Sequence, residues 1–151
     1  MIMNLKFYRI RKVAKLPVRA HKADVGMDIF YCPTHHKESA FSIPRNSSRV
    51  IPTGLKVEVP EGYMLEIKNK SGIASMRQLL VGACVIDPGY DGEIYINLHN
   101  LGHDTQIIEP GEKIAQAVLV PVIHCGIQEV FEDTLNKGGQ RGSGRIRFGE
   151  C

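Results

Sequence analysis

The sequence predicts a single all-β domain built from many short strands, on three observations. Its 15 Gly and 8 Pro are scattered along 151 residues and cut the chain into short pieces, as turns do in β-proteins. Several of those pieces alternate apolar and polar residues with the period of two that marks a strand with one buried face. A single short segment reads as a helix. The length suits about one domain. Apolar residues at 43% and charged residues at 23% are enough for one core and argue against wholesale disorder.

In chain order, Asn4 to Arg9 and Met27 to Tyr31 are the weaker strand candidates. Leu55-Lys56-Val57-Glu58-Val59 alternates cleanly. Ser71 to Leu79 is the expected helix, with Ser-Gly in the capping position. Glu93 to His99 is the clearest strand. It places Ile94, Ile96 and Leu98 on one face and Tyr95, Asn97 and His99 on the other. Ile114 to Val120 and Ile127 to Phe131 are also β-rich. The domain is expected to span residues 1–131. Residues 132–151 carry five Gly, three Arg and one Lys, too little apolar surface to pack, and are expected to form a mobile arm. Such an arm either does nothing or closes its amides and Arg over an anion.

Composition excludes several classes. Lys plus Arg is 19 against 16 for Asp plus Glu, a net charge of +3, too mild to imply a nucleic-acid partner. The longest mainly apolar stretch, Ala117 to Ile123, falls far short of the ~20 residues that span a membrane. No membrane partner is expected, and no signal peptide is visible. Cys32, Cys84, Cys125 and Cys151 lie far apart without a C-x-x-C pair, so neither a disulfide framework nor a structural zinc site is expected. The six His show no ligand spacing. A reducing cytosol is the expected location, that of a host cell if the source is viral. The basic stretch Arg9 to Lys15 reads as a solvated surface.

Three segments can carry chemistry. In Val81 to Glu93 an apolar run ends in Asp87, followed by Pro88-Gly89 and Tyr90. That pattern fits a hairpin pocket with a carboxylate at its mouth, placed to deprotonate a water. Taken alone it reads rather as a simple turn, since Asp before Pro-Gly is common turn chemistry. Asn69-Lys70-Ser71-Gly72 puts a cation, a hydroxyl and a small residue at a helix start, where phosphate is attracted. An ordinary helix cap would look the same. Gln116, alone among apolar neighbours in its strand, either satisfies a buried group or faces a ligand.

In order, the segments read Ala23-Asp-Val-Gly26-Met-Asp28, Thr53-Gly-Leu, Lys70-Ser-Gly-Ile-Ala, Val85-Ile-Asp87-Pro-Gly-Tyr90, Gly111-Glu-Lys-Ile-Ala-Gln116 and Arg141-Gly-Ser-Gly144. From about residue 20 to the C-terminus this closely resembles the ordered motifs of the trimeric dUTP pyrophosphatase (dUTPase) family. The resemblance implies a jelly-roll-like β-barrel (β-clip) and a homotrimer with sites between subunits. It implies hydrolysis of dUTP to dUMP and pyrophosphate, with Mg²⁺ on the triphosphate. Asp87 would activate water, and Tyr90 would pack on the deoxyribose and exclude a 2′-hydroxyl. The hairpin from Val81 through Cys84, Val85 and Ile86 would read uracil, and Tyr95 would line the substrate. Lys70, Ser71, Gly72 and Gln116 would serve the phosphates, and Asp28 would act indirectly, through water or the metal shell. Arg141, Gly142 and Gly144 would close on the γ-phosphate.

The chain departs from the family pattern at three places. Lys70 stands where Arg is usual, which keeps the charge but loses the planar fork. Cys84 replaces a usual Gly, whose torsions a side chain would find harder. Ile146 falls where the family's Phe stacks on uracil, so Phe148 or the added Arg pair is expected to take over part of that role. Two other readings remain in view. In a dCTP deaminase, a sister family, the catalytic Glu would fall at Asn97, which cannot shuttle protons as Glu does. A dUTPase-like regulator would bind the nucleotide with little turnover.

Overall fold

The computed structural model describes residues 4–35 and 40–131. Eleven strands and one helix lie within them. They are β1 (Lys6–Arg9), β2 (Met27–Phe30), β3 (Phe41–Ile43), β4 (Ser47–Pro52), β5 (Leu55–Glu58), β6 (Tyr63–Lys68), α1 (Ser71–Arg77), β7 (Leu79–Val81), β8 (Val85–Ile86), β9 (Tyr95–Asn100), β10 (Gln106–Ile108) and β11 (Lys113–Pro121). Every strand pairing is antiparallel. A four-stranded sheet runs β2-β11-β6-β8 and a three-stranded sheet runs β4-β9-β7, while β1-β5 and β10-β3 form two-stranded ribbons. The all-β expectation holds.

Alternation explains which side chains fill the space between the sheets. In β9, Ile96 and Leu98 are fully buried while Tyr95 is exposed, and Ile94 just before the strand is buried too. In β11, Ile114, Ala115 and Ala117 are buried and Gln116 is half-buried. They join Ile29, Ile43, Ile51, Leu65 and Ile108 in one apolar cluster. Each fully buried Ile or Leu among them contributes about 1.5–3 kcal/mol through burial. Among the described residues no helix is long and apolar enough to cross a membrane.

Three local expectations need correction. The helix stops at Arg77, because Gln78 adopts a left-handed C-cap (φ 54°) and Leu79 is drawn into β7, where it is buried opposite Asn100. Ser71 is not its cap. Lys70 occupies that position in extended conformation with no side-chain cap bond. Ile127 to Phe131 forms no strand. Ile127 and Phe131 are exposed, and no strand among the described residues pairs with this segment. β-propensity does not make a strand where no partner ladder is in reach.

Candidate active site

Two clusters gather the predicted site residues, and they stand apart. The first is a pocket of about 260 Å³ lined by Cys84, Val85, Ile86, Asp87, Tyr90 and Tyr95, with Glu93 behind them. The strand-turn-strand path from β8 to β9 builds it. Pro88-Gly89 turns the chain, with Gly89 at φ +81°, a conformation that favours glycine. The turn closes with Tyr90 N–H donating to the Asp87 carbonyl (3.3 Å). Tyr90 then folds back, and its hydroxyl donates to the Glu93 carbonyl at 2.9 Å. β8 is held on β6 by the pairs Leu65 with Ile86 and Glu66 with Val85, and Ile67 N–H donates to the Cys84 carbonyl (2.7 Å). Cys84 is not among the described residues of positive φ, so the side chain there brings no backbone strain.

The Asp87 side chain is exposed at the pocket mouth, and no ion pair engages it among the described residues. Tyr90 and Tyr95 are each about half exposed. An unpaired acid beside an apolar, aromatic-walled hollow can accept a proton from a bound water. A larger cavity, about 590 Å³ and lined by Arg11, Lys12, Lys15, Tyr31, Cys32 and Gly111, collects none of the predicted site residues. Convergence of chemical groups, not size, selects the smaller one.

The second cluster surrounds Asp28 in β2. Its carboxylate is buried between two cations, with Lys70 Nζ 2.6 Å from Oδ1 and Lys113 Nζ 2.8 Å from Oδ2. Burial pushes this carboxyl up, but hydrogen bonds and charge from Lys113 and Lys70 outweigh it and hold it below the usual carboxylate range. Gln116 pairs with Asp28 across β2, and its Nε2 donates to the Asn69 carbonyl at 2.9 Å. The Asn69 side chain accepts from Val81 N–H at 2.6 Å, tying the base of the hairpin to this cluster. Ser71 and Gly72 are exposed at the start of α1, Gly72 beside open space. Val81 does not line the pocket.

The sheet register sets the separation. Gln116 faces Asp28 on β2 and Lys68 on β6, whereas β8 meets β6 at Leu65 and Glu66. Asp87, one residue past Ile86, is therefore about 13 Å from Asp28 along the strands and about 14 Å from it across three strand spacings. One chain does not bring Asp87 onto the Asp28 cluster. Arg141, Gly142, Gly144, Ile146 and Phe148 lie outside the described residues.

Sequence reasoning missed the groups that hold these clusters. Arg11, read as part of a solvated basic stretch, forks onto Glu93 (Nη1 to Oε2 3.1 Å, and Nη2 to Oε1) and is partly buried. A partner 82 positions away leaves no local signal. Lys113 and Asn69 were likewise invisible as partners. No group of three or more His, Cys, Asp or Glu able to hold a metal ion occurs among the described residues.

Comparison with known proteins brings in the lineage. The family model for dUTPase matches residues 12–147. The chain is 37% identical to the deoxyuridine 5′-triphosphate nucleotidohydrolase of Alkaliphilus metalliredigens over 150 residues, covering 97% of this chain and 100% of that protein. Among solved structures it is similar to a mutant dUTPase of Staphylococcus bacteriophage 80alpha with dUpNHpp, at TM-score 0.81 and 27% identity, covering 95% of this chain and 96% of that one. It is also similar to a mutant dUTPase from phage phi11 of S. aureus described as coordinating a structural Mg(II) ion, at TM-score 0.76 and 27% identity, covering 86% and 99%.

Proposed function

The chain belongs to the dUTPase family, and on that premise we propose that it hydrolyses dUTP to dUMP and pyrophosphate. The observation that carries the reading is the unpaired Asp87 carboxylate at the mouth of a pocket walled by Tyr90 and Tyr95. In this mechanism the uracil enters against Cys84, Val85 and Ile86, where backbone amide and carbonyl groups match its edge and reject cytosine. Tyr90 lies under the sugar and leaves no room for a 2′-hydroxyl, while Tyr95 lines the far side. Asp87 takes a proton from a water and aims it in line at the α-phosphorus. Phosphoryl chemistry of this kind depends on alignment and charge neutralisation more than on covalent help.

The phosphates need cations, which this chain holds at the other cluster. Lys70, with Ser71 and Gly72, receives them, and Gln116 braces that side through Asn69. The distance between the two clusters within one chain supports a homotrimer in which each site takes its Asp87 pocket and its Lys70 cluster from different copies. Arg141, Gly142 and Gly144 would close on the γ-phosphate, with Ile146 and Phe148 beside the base. Mg²⁺ would be held chiefly by the substrate's phosphates, with Asp28 reaching it through water, since Mg²⁺ keeps several waters and needs few carboxylates. When bound, Mg²⁺ supplies charge neutralisation on the triphosphate.

Pyrophosphate release tests the reading directly. The expected result is release from dUTP with Mg²⁺, and far less from dTTP, dCTP and UTP. Ammonia from dCTP would favour the deaminase, and tight dUTP binding without release would favour a regulator.

A further inference from the structure

Glu93 is a largely buried carboxylate that the mechanism leaves unused, although it sits in the wall of the nucleoside pocket. Its two oxygens have about four acceptor positions. Arg11 fills two with its fork, and the Gly54 N–H fills a third at 2.7 Å. The Glu93 carbonyl receives the Tyr90 hydroxyl at 2.9 Å, so Tyr90, in the wall of the nucleoside pocket, ends on Glu93. Gly92 lets Tyr90 fold that closely, since a Cβ there would stand 2.3 Å from the phenol oxygen. Arg11 is in turn anchored away from the pocket, its Nη2 donating to the Cys32 carbonyl (3.3 Å) and its Nε to Cys32 Sγ (3.4 Å).

We propose that Arg11 and Glu93 are positioning residues for sugar recognition. Arg11 pins the Glu93 carboxylate to the body of the domain, and the Glu93 carbonyl, held in place by that anchor, fixes Tyr90. The inference rests on the nucleotide-binding reading of this pocket, but not on turnover. A purely structural ion pair would be complete with Arg11 and Gly54; the Tyr90 hydroxyl on the carbonyl of the same residue connects it to the substrate side. The Glu93 charge, first among several causes, also holds the Tyr95 phenol proton more tightly than an ordinary tyrosine does.

The test compares wild type, Glu93→Gln, Arg11→Lys, Tyr90→Phe and the double variant Glu93→Gln with Tyr90→Phe. Binding of α,β-imido-dUTP and of the matching ribonucleotide is followed by calorimetry, alongside KM and kcat. Losing a hydrogen bond to a charged group should weaken dUTP-analogue binding about tenfold. Preference over the ribonucleotide should shrink and KM should rise, with a smaller change in kcat. Glu93→Gln should add little to Tyr90→Phe, because the two act in one chain of contacts. Wild-type affinity and sugar preference in a folded Glu93→Gln or Arg11→Lys chain would overturn the proposal, as would fully additive effects in the double variant. Arg11→Lys, which keeps a cation beside Glu93 without the fork, decides the matter if Glu93→Gln does not fold. A wild type that binds the analogue without releasing pyrophosphate would remove the hydrolase reading and leave this one standing. One that binds neither nucleotide would remove both.

Discussion

Asp87 and Asp28 carry the same carboxylate in opposite circumstances. Asp87 stands exposed at a pocket mouth with no ion pair among the described residues. Asp28 is buried and held by Lys70 and Lys113. An acid clamped by two cations is a poor proton acceptor, since each cation stabilises its charged form. An acid left unpaired keeps its lone pairs for water. On the proposed reading, the difference separates a group kept for chemistry from a group that organises cations near where phosphates would bind.

The largest test of that contrast is Asp87→Asn. Turnover of dUTP should fall about 10²-fold or more, as loss of a general base does, while thermal melting stays at the wild-type value. Asp28→Asn should do the reverse in kind. It removes charge-assisted contacts to two lysines and should lower unfolding stability by about 2 kcal/mol in urea titration, with a higher KM for dUTP. If Asp87→Asn proved the destabilising change and Asp28→Asn the silent one, the contrast would be broken.

Acid sharpens it further. Asp28 is held below the usual carboxylate range, and so is Glu93, where burial raises the carboxyl but Arg11 and the Gly54 N–H prevail. Both groups titrate lower folded than unfolded. The stability they contribute is therefore complete above the ordinary carboxylate value of about 4 and drains away as pH falls through their folded values. Urea midpoints should be level near neutrality and drop below that range, and Asp28→Asn should flatten the drop. A wild-type midpoint unmoved by acid would contradict the pairing seen around Asp28.

The smallest expected effect is at Gly26. A Cβ there would come 2.0 Å from Gln116 Oε1, so Gly26→Ala must push the side chain off Asn69. Loss of that one hydrogen bond should cost about 1 kcal/mol and raise KM slightly without touching the Asp87 pocket. An equal loss in an Asp87-dependent step would show that the two clusters are not separable within the chain.

Much of the fold was legible because its signals are local. The β9 faces followed from the alternation of Ile94, Ile96 and Leu98 with Tyr95 and Asn97. The turn at Pro88-Gly89 followed from residue chemistry. Where local signals compete with a distant partner they failed. Ile127 to Phe131 has the composition of a strand and no ladder to join among the described residues. Leu79 has the propensity of a helix end but is buried opposite Asn100 in a sheet. The site divides the same way, since Asp87, Tyr90 and Gln116 sit in recognisable segments, whereas Arg11 meets Glu93 from 82 positions away.

From residue order alone came the all-β class, the strand faces, the segment around Asp87 and the family likeness, because periodicity and turn chemistry act over a few neighbouring positions. The tertiary structure alone decided which charges neutralise one another, which acid stays unpaired, and how far the Lys70 cluster stands from the Asp87 pocket. Those outcomes depend on burial and on distances of a few ångströms between strands far apart in the chain, which no local pattern records.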